Sequence, residues 1–138
     1  MECIFCRIVK KEIPCHRVYE DDKVLAFLDI NPLAKGHTLV IPKKHTYKLE
    51  DLEEEDAKAL LMATYKLAPK VCSAMKSPAS TIAINNGRES GQEIEHLHIH
   101  IIPRFRNDGG GPIHAIMRYR PNISREEMNR IVKQIREA

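Results

Sequence analysis

Apolar and polar positions alternate most strictly in His96-Leu97-His98-Ile99-His100-Ile101, where every second residue is a histidine and the residues between are aliphatic. Successive side chains of an extended strand point to opposite faces. The segment therefore predicts a strand with Leu97, Ile99 and Ile101 toward a core and three imidazoles on the other side. Other apolar runs predict further strands. Two short ones lie between Val18 and Asp29, with Lys23 to Leu28 the stronger; another is Gly36 to Pro42, closed by the proline, and another Thr81 to Asn85. Helical spacing appears in Leu60, Leu61, Thr64, Leu67, Ala68, Val71 and Met75, in a helix predicted to open at Asp51 with Glu54 three residues on. Pro69 is expected to kink that helix or end it early. Residues 4–10 suggest a short helical turn, and Ser124-Arg125-Glu126-Glu127 a capping box for a final helix running toward Glu137. Strands joined by short turns around one long helix predict an α+β fold: an antiparallel sheet with helices on one face.

At 138 residues, with no internal repeat and no inter-domain linker, the chain reads as a single domain over residues 1–138; a glycine-rich break, Gly109-Gly110-Gly111-Pro112, follows the histidine strand. Hydrophobic content of 43% and charged content of 30% are those of an ordinary globular protein. A net charge of +3, with basic residues scattered among acids, argues against nucleic acid as a partner but accommodates a small anionic substrate. No apolar run reaches membrane-spanning length. The first residues lack the pattern of a secretory signal, so a cytoplasmic location is expected and disulfides are not.

A row of imidazoles contributes little to a core, because each ring brings two nitrogens that need partners. Exposed histidines, a catalytic metal held by several of them and nucleophilic attack by one of them are the competing readings. A nitrogen nucleophile must be neutral, with its other nitrogen protonated and held by an acceptor. Cys3-x-x-Cys6 near the amino terminus is by itself a weak zinc signal; a closed site needs two more ligands.

The segment His96 to Ile102 resembles the motif that names the histidine triad (HIT) nucleotide hydrolases and transferases. Phe27 to Pro32, Gly36 to His45 and Asn85 to Gln92 resemble the other blocks of that family in the same order, and its zinc-containing Hint-like branch is the nearest match. The resemblance implies a HIT-like fold, with the sheet continued across a homodimer. It also implies hydrolysis at the α-phosphate of a purine nucleotide through a covalent intermediate on His98, with His100 and His37 in support. Asn85 and Gln92 match phosphate-binding positions, and Asp29 matches the residue that holds the ribose hydroxyls. Phe5, Ile8, Phe27 and Ile30 are candidates for the base slot, although apolar residues at such places are as often simply core. The amino-terminal pair would bind a structural zinc together with His45 and His96. Because period two puts His96 on the face of His98, that ligation requires the start of the strand to deviate or the site to lie just beside the pocket. A local rival quartet uses Cys15 and His16, and two metal-free thiols remain an alternative.

The substrate implied first is an adenosine or other purine 5′-phosphoramidate. A dinucleoside polyphosphate is the alternative, and a zinc-stabilised nucleotide- or partner-binding protein the reading from another class. One residue departs from the pattern. Many members carry Ser or Thr after the Gly-Gln pair, whereas Glu93 follows Gly91-Gln92 here. A carboxylate in that place repels phosphate unless it is protonated, turned away or aimed at the leaving group. Glu93 is therefore expected to lower activity on long polyphosphate chains or to act on a basic leaving group.

Overall fold

The computed structural model describes residues 3–138 and turns the predicted runs into strands β1 (Arg17–Glu20), β2 (Val24–Leu28), β3 (Thr38–Pro42), β4 (Ala79–Ala83) and β5 (Ile99–Arg104). Three α-helices accompany them: α1 (Ile4–Val9), α2 (Glu54–Met75) and α3 (Arg125–Glu137). The strands form one antiparallel sheet in the order β1-β2-β3-β5-β4. The described residues divide between Asp108 and Gly109 into two compact units, so the glycine break marks a boundary.

In the first unit both faces of the central strands are buried. Alternate residues Val24, Ala26, Val40, Ile99 and Ile101 pack with Leu60, Leu67 and Val71 of α2. Their neighbours Leu25, Phe27, Leu39 and Ile41 pack with Phe5 and Ile8 of α1. Full burial of each such side chain stabilises the fold by about 1.5–3 kcal/mol before chain entropy is counted. The helices are therefore not confined to one face as the strand pattern suggested: α1 covers the side opposite α2. Six residues were too few for their spacing to reveal a packing face.

Two expectations about α2 change. It starts at Glu54 behind a separate 3₁₀ turn, Leu49–Asp51, because the Asp51 carboxylate accepts the Lys48 N–H at 3.2 Å and so caps that turn instead. It also does not end early at Pro69 but continues to Met75. Proline removes the bond to the carbonyl four residues back, which belongs to Tyr65. Both residues lie on the exposed side of the helix, where water can serve that carbonyl. The turn into β3 needs Gly36, whose φ is +89°; a Cβ there would stand 2.5 Å from the Met75 side chain.

The histidine segment joins the sheet only in its second half. Pairing of β5 with β3 begins at Ile99, and the Leu97 N–H instead bonds the Thr46 carbonyl at 2.7 Å. Residues 96–98 thus run beside the loop after β3, and His96 lies in a bend. Alternation persists all the same, with Leu97, Ile99 and Ile101 all in the core.

In the second unit, Ser124 caps α3 as predicted, its hydroxyl accepting the Glu127 N–H at 3.1 Å. Met128, Val132 and Ile135 of α3 are exposed to solvent. No helix among the described residues is long and apolar enough to cross a membrane.

Candidate functional site

A cavity of about 590 Å³ opens where the end of β2 and the start of β3 meet the start of β5, and it is lined by His37, His98 and His100. That volume suits a ligand of nucleotide size. Phe5, Ile8 and Phe27 are buried in the core of this side and form the apolar floor of the cavity, so the core and base-slot readings describe the same three residues. Ile30 stands on the rim and is largely exposed. Asp29 and Asn85 also line the cavity. The Asn85 amide has no hydrogen-bond partner among the described residues. Its neighbour Asn86 accepts the Leu49 N–H at 2.8 Å and donates to Glu50 at 2.7 Å, bracing the loop.

Backbone partners set the protonation of each imidazole. The His98 Nδ1 lies 2.7 Å from the His96 carbonyl. A carbonyl only accepts, so Nδ1 carries the proton and Nε2 keeps its lone pair in the neutral ring. His98 is buried, and the Phe5 ring meets it edge-on with centroids 5.3 Å apart.

His37 and His100 form a directed chain. The Leu33 N–H donates to His37 Nδ1 at 3.1 Å, which leaves the proton of the neutral ring on Nε2. That Nε2–H donates to His100 Nδ1 at 2.9 Å, so His100 in turn carries its proton on Nε2. This last group is buried without a partner. An unpartnered buried donor costs about 1–3 kcal/mol, and in a cavity wall it is a donor waiting for a ligand oxygen. Burial pushes the His100 pKa down to about 4 and lowers that of His37, so both rings are neutral near pH 7. Asp29, with one oxygen taken by the Asn31 N–H at 2.8 Å and the other 3.7 Å from His37 Nε2, opposes the shift only in part.

Asp29, His37 and His100 are close enough to be considered as a metal site. The tautomers argue against it, because the Leu33 N–H reserves Nδ1 of His37 and so leaves a proton on the nitrogen that would have to bind the ion.

A second cluster gathers Cys3, Cys6, His45 and His96, with one ligand atom from each all within 4.8 Å of one another. The His96 Nε2 donates to the Pro42 carbonyl at 2.8 Å, which leaves the Nδ1 lone pair facing the two thiols. Separations of 3.5 Å from Cys3 Sγ to His96 Nδ1, 3.6 Å from Cys6 Sγ to His96 Nδ1 and 3.3 Å from Cys6 Sγ to His45 Nδ1 follow. Tetrahedral zinc, with its usual bonds to sulfur and nitrogen, places such atoms about 3.6 Å apart. The donor set fits zinc in both chemistry and spacing. Cys15, of the rival quartet, lines the nucleotide-sized cavity instead, and His16 is exposed.

Gln92 is not among the residues that line the cavity. It is buried, its amide donating to the carbonyls of Tyr47 at 2.9 Å and Ile94 at 3.0 Å and accepting the Gly87 N–H at 2.8 Å. The side chain holds the 87–94 loop in shape. Sequence reasoning missed the residues that act through their backbones, Leu33 and Pro42, because any residue but proline has an N–H to donate and every residue a carbonyl to accept. It also missed Ile13, Pro14 and Ile94 in the cavity wall, which carry no pattern that sets them apart from loop residues.

Comparison with known proteins places this arrangement. The profile of the HIT domain matches residues 10–107. The adenosine 5′-monophosphoramidase of Schizosaccharomyces pombe is 44% identical over 110 residues, spanning 80% of each chain. A HIT-family crystal structure from Bacillus subtilis superposes with a TM-score of 0.89 at 37% identity, covering 99% of this chain and 96% of the other. A zinc-bound histidine triad protein from Mycobacterium smegmatis gives a TM-score of 0.74 at 35% identity, covering 97% of this chain and 92% of the other. With its sheet, its histidine segment and most of its length matched, the chain belongs to the HIT domain family.

Proposed function

We propose that this protein hydrolyses purine nucleoside 5′-phosphoramidates, cleaving the phosphorus–nitrogen bond at the α-phosphate through a nucleotidyl group carried on His98. The observation that supports this most directly is the 2.7 Å bond from His98 Nδ1 to the His96 carbonyl, which keeps the Nε2 lone pair free in a cavity of nucleotide size. The name of the fission-yeast relative supports the choice of substrate.

In the first step the Nε2 lone pair forms a bond to phosphorus while the bond to the leaving nitrogen breaks, its electron pair going to that nitrogen, which takes one proton from solvent and departs as the amine. In the second, water attacks phosphorus, the bond to His98 breaks, and the water gives a proton back to solvent. One water is consumed and the ring is regenerated. Splitting the displacement in this way replaces one hard step with two easier ones. The His100 Nε2–H, fixed by the chain from Leu33 through His37, donates to a phosphoryl oxygen as charge builds there. Asn85 offers a second polar contact to phosphate, Asp29 receives the ribose hydroxyls, and Phe5, Ile8, Phe27 and Ile30 enclose the base.

Cys3, Cys6, His45 and His96 would hold a structural zinc ion, which when bound ties the amino terminus to the bend before β5. The protein works as a homodimer in this reading, and a monomer by light scattering would count against that part of it. Steady-state hydrolysis of adenosine 5′-phosphoramidate, followed by release of AMP, tests the activity. Tight nucleotide binding without turnover would favour a binding protein instead.

A further inference from the structure

The charge of the cavity wall bears on what leaves from the phosphorus. Asp29 and Glu93 both line it, and no lysine or arginine of residues 3–108 does. His37 and His100 add no positive charge at neutral pH, for burial holds both rings neutral. The Asp29 carboxylate is engaged by the Asn31 N–H and faces His37. Glu93 has no hydrogen bond or ion pair among the described residues. The nearest cation along the chain, Arg88, is taken by Glu95 at 3.1 Å. Glu93 thus stands between Gly91 and Ile94, two other lining residues, as an uncompensated carboxylate on the lip of the cavity that holds His98 and His100.

A phosphoramidate brings one negative charge, at the α-phosphate. A polyphosphate tail brings several more, and a wall with a free carboxylate and no fixed cation repels them. We propose that Glu93 selects the leaving group and that it does so by pairing with a positive charge: the substrates of this site are nucleoside 5′-phosphoramidates of amines that carry a second, distal ammonium group. The inference rests on the phosphoramidate reading. The group recognised is the distal ammonium; the reacting nitrogen, bonded to phosphorus, is uncharged. Neutral amines and polyphosphates are the disfavoured leaving groups.

The test compares two adenosine 5′-phosphoramidates of equal length, one made from 1,3-diaminopropane through a single nitrogen and one from n-butylamine, on wild type, Glu93→Gln and Glu93→Lys. Wild type should favour the ammonium-bearing substrate about fivefold in kcat/KM, the upper range for a solvent-exposed ion pair. The ratio should fall to about one in Glu93→Gln and invert in Glu93→Lys, and the wild-type advantage should shrink as salt is raised. A wild-type ratio near one, or a preference that survives in Glu93→Gln, overturns the proposal.

If wild type cleaves neither compound, the phosphoramidate reading fails. The role of Glu93 is then read separately, from the dissociation constants of the uncleavable phosphonates bearing the same two chains. The same pattern of ratios across the three proteins supports it, and equal affinities overturn it.

Discussion

The carbonyl of His96 accepts the Nδ1–H of His98 at 2.7 Å, while the His96 side chain turns away into the cluster with Cys3, Cys6 and His45. One residue therefore serves both sites, its backbone orienting the ring of His98 and its imidazole facing the thiols. The two rings still share a side, as period two requires, for the Phe5 ring meets His96 edge-on at 5.8 Å and His98 at 5.3 Å, so the thiol cluster lies beside the cavity.

The metal cluster gives the first prediction. The purified protein should contain about one zinc per chain in a tetrahedral Cys₂His₂ site. His45→Ala and Cys6→Ser should each lose most of it, whereas Cys15→Ser should keep it. Elemental analysis by mass spectrometry decides; a zinc content that tracks Cys15 rather than His45 would point to the other quartet.

The chain from Leu33 through His37 to His100 predicts a separation of kinetic constants. In His37→Phe the donor to His100 Nδ1 is gone, and the His100 proton is no longer held on Nε2. The chemical step should slow, with kcat falling by about 10²-fold, while KM changes little because the base and ribose contacts are untouched. A rise in KM at constant kcat would assign His37 to ground-state binding instead.

How far the sequence carries can be judged from the residues on either side of this chain. His98 and His100 were legible from the period-two alternation, whereas His37, Asp29 and Asn85 were singled out only by the resemblance, which also assigned every role. All five line one cavity or its histidine chain. The sheet followed from alternation, and α2 from helical spacing. The tautomers were not legible, since they depend on the Leu33 N–H and on the carbonyls of His96 and Pro42, groups that nearly every residue possesses. The partners of Gln92 were illegible for a related reason: the sequence cannot say whether an amide beside a glycine faces a ligand or its own loop, and here three backbone groups take it up.

Gln92→Ala should accordingly act on stability. Leaving the Gly87 N–H and the carbonyls of Tyr47 and Ile94 without partners in a buried place should cost about 2–3 kcal/mol, read as a lower urea midpoint with unchanged slope. Hydrogen exchange should quicken across residues 87–94. A variant of native stability that loses only nucleotide affinity would make Gln92 a ligand contact.

Stability should also depend on pH through His100. Its pKa is about 4 in the folded chain against an ordinary 6.5, so below pH 6.5 the unfolded chain binds more protons. Stability is then fully present above about pH 6.5 and falls on the order of 1 kcal/mol per pH unit down to about pH 4. His37, shifted the same way, adds to the slope. Urea midpoints across this range should decline less steeply for His100→Asn than for wild type. Parallel curves would mean that the ring is not held neutral by burial.

The central claim is that His98 carries the nucleotide, and intact mass of rapidly quenched enzyme tests it most directly. Wild type and His98→Gly are mixed with an adenosine 5′-phosphorothioate analogue of the phosphoramidate, whose slow second step lets the intermediate accumulate, and quenched without acid. One nucleotidyl group is expected on the wild-type chain, mapped by peptide sequencing to His98, and none on His98→Gly. An adduct that persists in His98→Gly, or turnover by that variant at the wild-type rate, would contradict the account.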